Sequence, residues 1–233
     1  MPDKNIHKGH RKRVKDNFLK NGLDNFEDHQ ILELLLFYAL PQRDTNELAH
    51  KLISRFGSIS GVFDAPTCEL LKMGLSDNTV TLLKLIPDIS RKYIVDRRDN
   101  ESKVIDTNDL PEYFKDRFIG RNVEVLYLLL IDSKGKEVYS GEISKGSSNS
   151  TDVPTRKIVE LTLLYNAKYV AIAHNHLSGF ALPSKKDLIT TQNIYNALKL
   201  INVNLIDHVI IAENDSISLR DSMYGTGIFV SNN

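Results

Sequence analysis

The run Ala167-Lys168-Tyr169-Val170-Ala171-Ile172-Ala173 is small, apolar and partly β-branched, and it leads directly into His174-Asn175-His176. Such a run reads as a buried strand, so the chain has to build a sheet around it and carry two histidines out at its end. In extended backbone alternate side chains share a face, which points His174 and His176 one way and Asn175 the other. Two imidazoles on one face are half of a zinc site. Ser178-Gly179 and Pro183-Ser184 follow, and Asp187, in the next helix, can close the site as a third ligand. Three protein ligands leave a tetrahedral zinc with one open position, the mark of a catalytic rather than a structural ion. The residual positive charge of such a centre brings the pKa of a bound water down to roughly 7 in well-studied cases. A plainer pattern fits the same residues. Ser184-Lys185-Lys186-Asp187 is a helix-capping box, with Ser184 at the N-cap and Asp187 at the third helical position, and strand histidines often only satisfy buried hydrogen bonds.

The rest of the second half alternates strand and helix. Strands are predicted at about Glu124 to Ile131 and Glu137 to Ile143, around the turn signal Ser133-Lys134-Gly135, and again at Leu205 to Ala212. Helical patterns cover Val153 to Asn166 and Ser184 to Leu200. Antiparallel pairing with interspersed helices predicts an α+β fold rather than a doubly wound parallel sheet. Before this the chain reads as a small helical bundle. Gln30 to Leu40 is apolar on most sides and ends at Pro41, Asp44-Thr45-Asn46-Glu47 starts a helix stopped by Gly57, and Asp77 to Tyr93 holds another. The polar run Asp96 to Lys103 predicts an exposed linker, hence domains of residues 1–98 and 103–227. The polar loop Gly146 to Thr151, ahead of the Arg156 helix, is a candidate wall of the site.

Composition excludes some classes. A chain of 233 residues with zero formal net charge has no global pull towards nucleic acid, although local basic patches remain open to it. The lone Cys68 rules out an intramolecular disulfide and any Cys-based zinc motif. There is no apolar stretch of membrane-spanning length and no signal-peptide core, so a reducing cytoplasm is the expected setting and no membrane partner is expected.

His174-x-His176 followed after ten residues by Asp187, with Pro183-Ser184 three residues ahead of it, resembles the JAMM (MPN+) metalloprotease motif. With Asn175 and Ser178-Gly179 it is similar to the bacterial RadC branch. Asp132 after an apolar strand, Gly146, Arg156 and the Leu205 to Ile211 segment fall in RadC order, and the likeness runs from Met1 to about Gly227. The resemblance implies an MPN-type, cytidine-deaminase-like mixed sheet with flanking helices. It also implies Zn2+ on His174, His176 and Asp187, and hydrolysis of a peptide or isopeptide bond in a protein substrate the sequence does not identify. It assigns Glu124 as the general base that takes a proton from the attacking water and passes it to the leaving amine. Glu142 and Glu160 compete for that role. Ser184 would stabilise the oxyanion. Leu177 stands where the family usually has proline, and Lys157 where it commonly has the glutamate of Pro-Arg-Glu.

The same resemblance places a helix-hairpin-helix at Leu70 to Ser76, a turn whose amides can bind a DNA phosphate, with Lys72, Gly74 and Ser76 as contacts. Ser76 replaces the usual second glycine, which would adopt positive φ and approach phosphate closely. His7 to Lys15 is a basic cluster suited either to phosphates or to a solvated helix face. A DNA-associated repair or recombination factor with a non-catalytic metal domain is therefore the alternative to a hydrolase, and a nuclease would instead favour two metals. His208, in an apolar strand, is read outside the ligand set as a buried histidine bonded to neighbouring backbone.

Overall fold

The computed structural model describes residues 9–101, 104–146, 155–177, 179–213 and 215–229, with the backbone alone for 98–101. The chain divides into two compact units, one ending at Ile89 and one beginning at Ser90.

The first unit is helical: α1 (His10–Asn21), α2 (Asp28–Ala39), α3 (Asn46–Phe56), α4 (Ile59–Asp64), α5 (Thr67–Lys72) and the start of α6 (Asp77–Glu101). Leu32 and Leu36, one turn apart on α2, meet Ala49, Leu52, Val62, Leu70, Val80 and Leu83 in one buried cluster. That is the small bundle the apolar spacing predicts. The helix α6 runs on through Asp96 to Glu101, where the polar composition predicts a linker. Polar residues suit a solvated helix as well as a loop, and Lys92 pairs with Asp96 at 2.7 Å across one turn.

The second unit continues with α7 (Leu110–Lys115), β1 (Val125–Ile131), β2 (Glu137–Lys145), α8 (Thr155–Leu164), β3 (Tyr169–Asn175), α9 (Lys185–Leu200), β4 (Asn204–Ile211) and β5 (Ser216–Ser218). The strands form one mixed sheet in the order β2-β1-β3-β4-β5, antiparallel except for the parallel pair β3 and β4. The fold is therefore α+β. Leu126, Leu128 and Leu130 of β1 join Val170 and Ile172 of β3 and Ile194 and Leu198 of α9 in one core. Val125, Leu129 and Ile131 join Leu110 and Phe114 of α7, Ala171 and Val209 in another. β1 and the Tyr169 to Ala173 part of β3 are covered on both faces, which explains their unbroken apolar composition.

A strand apolar at every position does not fix its own register through burial, because a slip of one residue exchanges one apolar face for another. Polar groups fix β1 instead. At one end Asp132 Oδ1 accepts from the Lys134 and Lys136 amides at 2.7 and 2.9 Å and shapes the hairpin to β2. At the other, Asn175 Oδ1 accepts from the Val125 amide at 2.8 Å, and its Nδ2 donates to the Val123 carbonyl at 3.0 Å. The resulting register sets Leu126 opposite His174. Among the described residues no helix is long and apolar enough to cross a membrane.

Candidate metal centre

His174 lies near the end of β3, on the face it shares with Val170 and Ile172, towards α9. The chain remains tied to the sheet one step further, where the His176 amide donates to the Ile211 carbonyl at 2.8 Å. The first turn of α9 brings in Asp187. His174 Nε2 lies 3.0 Å from His176 Nε2 and 3.4 Å from Asp187 Oδ1, and His176 Nε2 lies 3.5 Å from Asp187 Oδ2. Zinc bonds of ~2.0–2.1 Å set the edge of a coordination tetrahedron at about 3.3–3.4 Å. The two ring nitrogens and the two carboxylate oxygens thus converge at spacings close to that edge, and with one ligand atom from each residue the three lie within 4.8 Å of one another, a potential metal-holding group among the described residues. Side-chain exposures of 13%, 19% and 18% leave them within reach of solvent.

The residue that closes the capping box is also the carboxylate that faces the two histidines. Ser184 Oγ accepts from the Asp187 amide at 3.1 Å, while Asp187 Oδ2 accepts from the Ser184 amide at 2.7 Å. This capping box turns the Asp187 carboxylate back over the helix start, which is also where the histidines converge. Burial alone would raise the Asp187 pKa, but the hydrogen bond and charge of His174 and the bonds from Ser184 outweigh it. The carboxyl is held well below its usual range. Ser184 is exposed, and its Oγ, an acceptor in the cap, also lies within hydrogen-bonding reach of the Asp187 carboxylate.

Two of the three glutamates have other partners. Glu142 pairs with Arg121, and Glu160 with Arg156 at 2.7 Å on the exposed side of α8. Glu124 stands just ahead of β1, its carbonyl accepting from the Gly146 amide at 3.0 Å, and its carboxylate has no hydrogen-bond or ion-pair partner among the described residues. Continuing the register of Leu126 with His174 sets Glu124 opposite His176. It lies outside the group of three donors. Lys157 donates to the Ile143 carbonyl at 3.1 Å and so ties α8 to β2, a bond a glutamate could not make. Residues 147–151 of the predicted loop wall, and Ser178, fall outside the described residues.

Behind the three donors stands a pair of residues that sequence reasoning did not place there. His208 on β4 is 1% exposed, and its Nε2 lies 2.8 Å from His174 Nδ1. On its other side, His208 Nδ1 lies 2.6 Å from Thr191 Oγ1 of α9. Its partners are two side chains rather than neighbouring backbone. Burial, aided by the His174 charge, holds its pKa well below the ordinary imidazole value. The available sequence signal was a histidine in the middle of an apolar strand.

In the helical unit, Gly74 joins α5 to α6 with φ at 82°, the left-handed conformation that favours glycine. Its amide donates to the Leu71 carbonyl at 2.9 Å, and Lys72 pairs with Glu69 at 2.7 Å. Ser76 caps α6, its Oγ accepting from the Thr79 amide at 3.3 Å. Of the basic cluster, Arg11 donates to the Leu40 carbonyl at 2.7 Å and His10 meets the buried Glu33 at 3.0 Å. His7 and Lys8 fall outside the described residues.

Comparison with known proteins follows the same outline. The RadC-like JAB domain matches residues 104–224. A UPF0758 protein of Fusobacterium nucleatum is 32% identical over 221 residues, 91% of this chain and 95% of that protein. UPF0758 proteins of Idiomarina loihiensis and Coprothermobacter proteolyticus are 29% and 27% identical. They cover 90% and 89% of this chain, and 94% and 90% of their own lengths.

Proposed function

This chain belongs to the RadC family of JAB-domain proteins, and from that premise we propose that it is a zinc-dependent hydrolase of peptide or isopeptide bonds. The observation that supports the reading is the convergence of His174, His176 and Asp187, whose nearest ring-nitrogen and carboxylate-oxygen pairs stand 3.0–3.5 Å apart in a partly open site. Two imidazoles and a carboxylate are a zinc-type donor set, and these residues would hold the ion. When bound, the ion supplies Lewis acidity, lowering the pKa of water and polarising a carbonyl. Glu124, uncommitted to any described partner, accepts the proton of the attacking water and returns it to the leaving amine. Ser184 Oγ donates its proton to the carbonyl oxygen as negative charge develops there. Zinc content of wild type, His176→Ala and Asp187→Ala, measured by elemental analysis, tests the ligand set. About one zinc per chain, lost in both variants, is the expected result. Peptide and isopeptide substrates then test the chemistry, with Glu124→Gln expected to keep the metal and lose turnover. Well-folded wild type that takes up no zinc after reconstitution would refute the hydrolase.

A second reading, DNA contact by the helical unit, is supported by the left-handed Gly74 in the turn between α5 and α6. Its test is the salt dependence of duplex binding. Affinity that falls steeply with salt and weakens in Lys72→Ala is expected; binding that ignores both would dismiss it.

A further inference from the structure

We propose that His208 and Thr191 are positioning residues that fix the tautomer of His174 and so present its Nε2 to the metal. The proposal rests on the zinc reading above and assigns work to two residues that touch neither metal nor substrate.

The polarity of the hydrogen-bond chain is set from both ends. At one end is the backbone carbonyl of Asp187, which can only accept, and Thr191 Oγ1 donates to it at 2.6 Å. That bond uses the single hydroxyl proton of Thr191. Its oxygen therefore accepts from His208 Nδ1 at 2.6 Å, which places a proton on Nδ1 of His208. At the other end, a metal on His174 Nε2 leaves the proton of that ring on Nδ1, which donates to His208 Nε2 at 2.8 Å. His208 must then accept at Nε2 and donate at Nδ1. One neutral tautomer satisfies both ends, and the two derivations agree on it.

The chain also closes on itself. It starts at the backbone of one ligand, Asp187, and finishes on the ring of another, His174, after crossing from α9 to β4 and then to β3. Thr191 is 0% and His208 1% exposed, so water does not compete for these bonds. The second histidine is held in the same sense by a simpler device: His176 Nδ1 faces the Phe180 carbonyl at 3.4 Å, which again can only accept. With both protons on Nδ1, two imidazole lone pairs and a carboxylate converge with no proton between them, an arrangement that a cation relieves.

Zinc affinity of the full chain, measured by competition with a chromophoric chelator, tests this in wild type, Thr191→Val, Thr191→Ser and His208→Phe. Thr191→Val, nearly isosteric but unable to take part in the chain, is expected to weaken zinc binding roughly ten- to a hundredfold. Thr191→Ser, which keeps the hydroxyl, should stay within a few-fold of wild type. A role in packing alone would lower the unfolding temperature of the metal-free variants and leave the affinity of the folded protein unchanged. Thr191→Val that is folded and binds zinc like wild type overturns the proposal, and so does Thr191→Ser as weak as Thr191→Val. Nitrogen-15 NMR of the imidazoles gives a readout independent of any variant. His208 with its proton on Nδ1 in zinc-loaded wild type is expected, and a proton on Nε2 overturns the relay. Wild type that binds no zinc overturns the hydrolase reading and the relay with it, whereas zinc-binding wild type with unaffected variants overturns the relay alone.

Discussion

Replacing Asp187 separates the cap it forms from the ligand role proposed for it, because the two contribute to different states of the protein. Asp187→Ala deletes the 2.7 Å bond from the Ser184 amide and a negative charge at the start of α9, and leaves the bond from its own amide to Ser184 Oγ in place. Losing half of a capping box and a favourable helix-dipole charge costs about 1–2 kcal/mol in the metal-free protein. At about 2–4 °C per kcal/mol for a chain of this size, the melting temperature falls by roughly 2–8 °C. Zinc adds a second, separable effect. With free zinc a thousandfold above Kd, binding stabilises wild type by about 4.1 kcal/mol, and the melting temperature rises by roughly 8–16 °C. Asp187→Ala should lose most of that rise. Asp187→Asn retains an acceptor for the Ser184 amide but not the charge, so it should melt near wild type without zinc and gain little with it. Differential scanning calorimetry of the three proteins, with and without zinc, is the assay. Asp187→Ala that loses several degrees yet keeps the full zinc-induced rise would show that Asp187 is a cap only and would refute the ligand set. The sign with pH follows from the depressed carboxyl: the Asp187 contribution is present above the unfolded value of about 3.9 and disappears as pH falls through the lower folded value.

Asn175→Leu leaves the Val125 amide and Val123 carbonyl without their side-chain partner, and should cost roughly 2–3 kcal/mol in denaturant unfolding. If Asn175 also sets the register that carries Glu124, the folded variant loses turnover while retaining zinc. Ser184→Ala should cost about 1 kcal/mol through the lost cap, and lower kcat by roughly a hundredfold or more if the hydroxyl serves the oxyanion, with zinc content unchanged. Burial raises the Asp207 carboxyl, against the hydrogen bonding of Ser218 and the Arg220 and His208 amides and the charge of Arg220. A raised carboxyl contributes stability below its unfolded pKa of about 3.9, lost as pH rises through the folded value. Asp207→Asn, whose oxygen can still accept from the His208 and Arg220 amides, should flatten that part of the stability profile.

Strand content was legible because it depends on composition over many residues, whereas the order β2-β1-β3-β4-β5 was not read from the sequence. Apolar runs at Val125 to Ile131 and Tyr169 to Ala173 demand burial wherever they fall, and Gly135 with Asp132 marks the hairpin between the first two strands. Short elements were not legible. The helix α4 has six residues, too few for a 3.6-residue period to emerge, and β5 is a three-residue edge strand of serine and isoleucine. The polar run beyond Tyr93 was misleading for a different reason, since charged residues on a solvated helix and on a loop have the same composition. Only the backbone bonds of α6 distinguish them.

The donor set was legible because its spacing is local: two residues along one strand, then a helix start with its cap written into four consecutive residues. The groups behind it lie in the middle of other elements and reach the site through tertiary structure. His208 meets His174 because β3 and β4 run parallel with a register shift between Val170 and Ala171, which turns His208 to the same face as His174. Without that irregularity a strict period of two would set His208 one step away from its present place in the pairing. Thr191 meets His208 because it lies one turn after Asp187 on α9, so the stretch that presents the carboxylate also presents the hydroxyl. The candidate site thus has a sequence-local half, the three donor residues, and a fold-dependent half behind them that contacts the ring of His174. On the zinc reading proposed above, loss of the first half is expected to remove binding outright, and loss of the second to leave all three donors and weaken their hold.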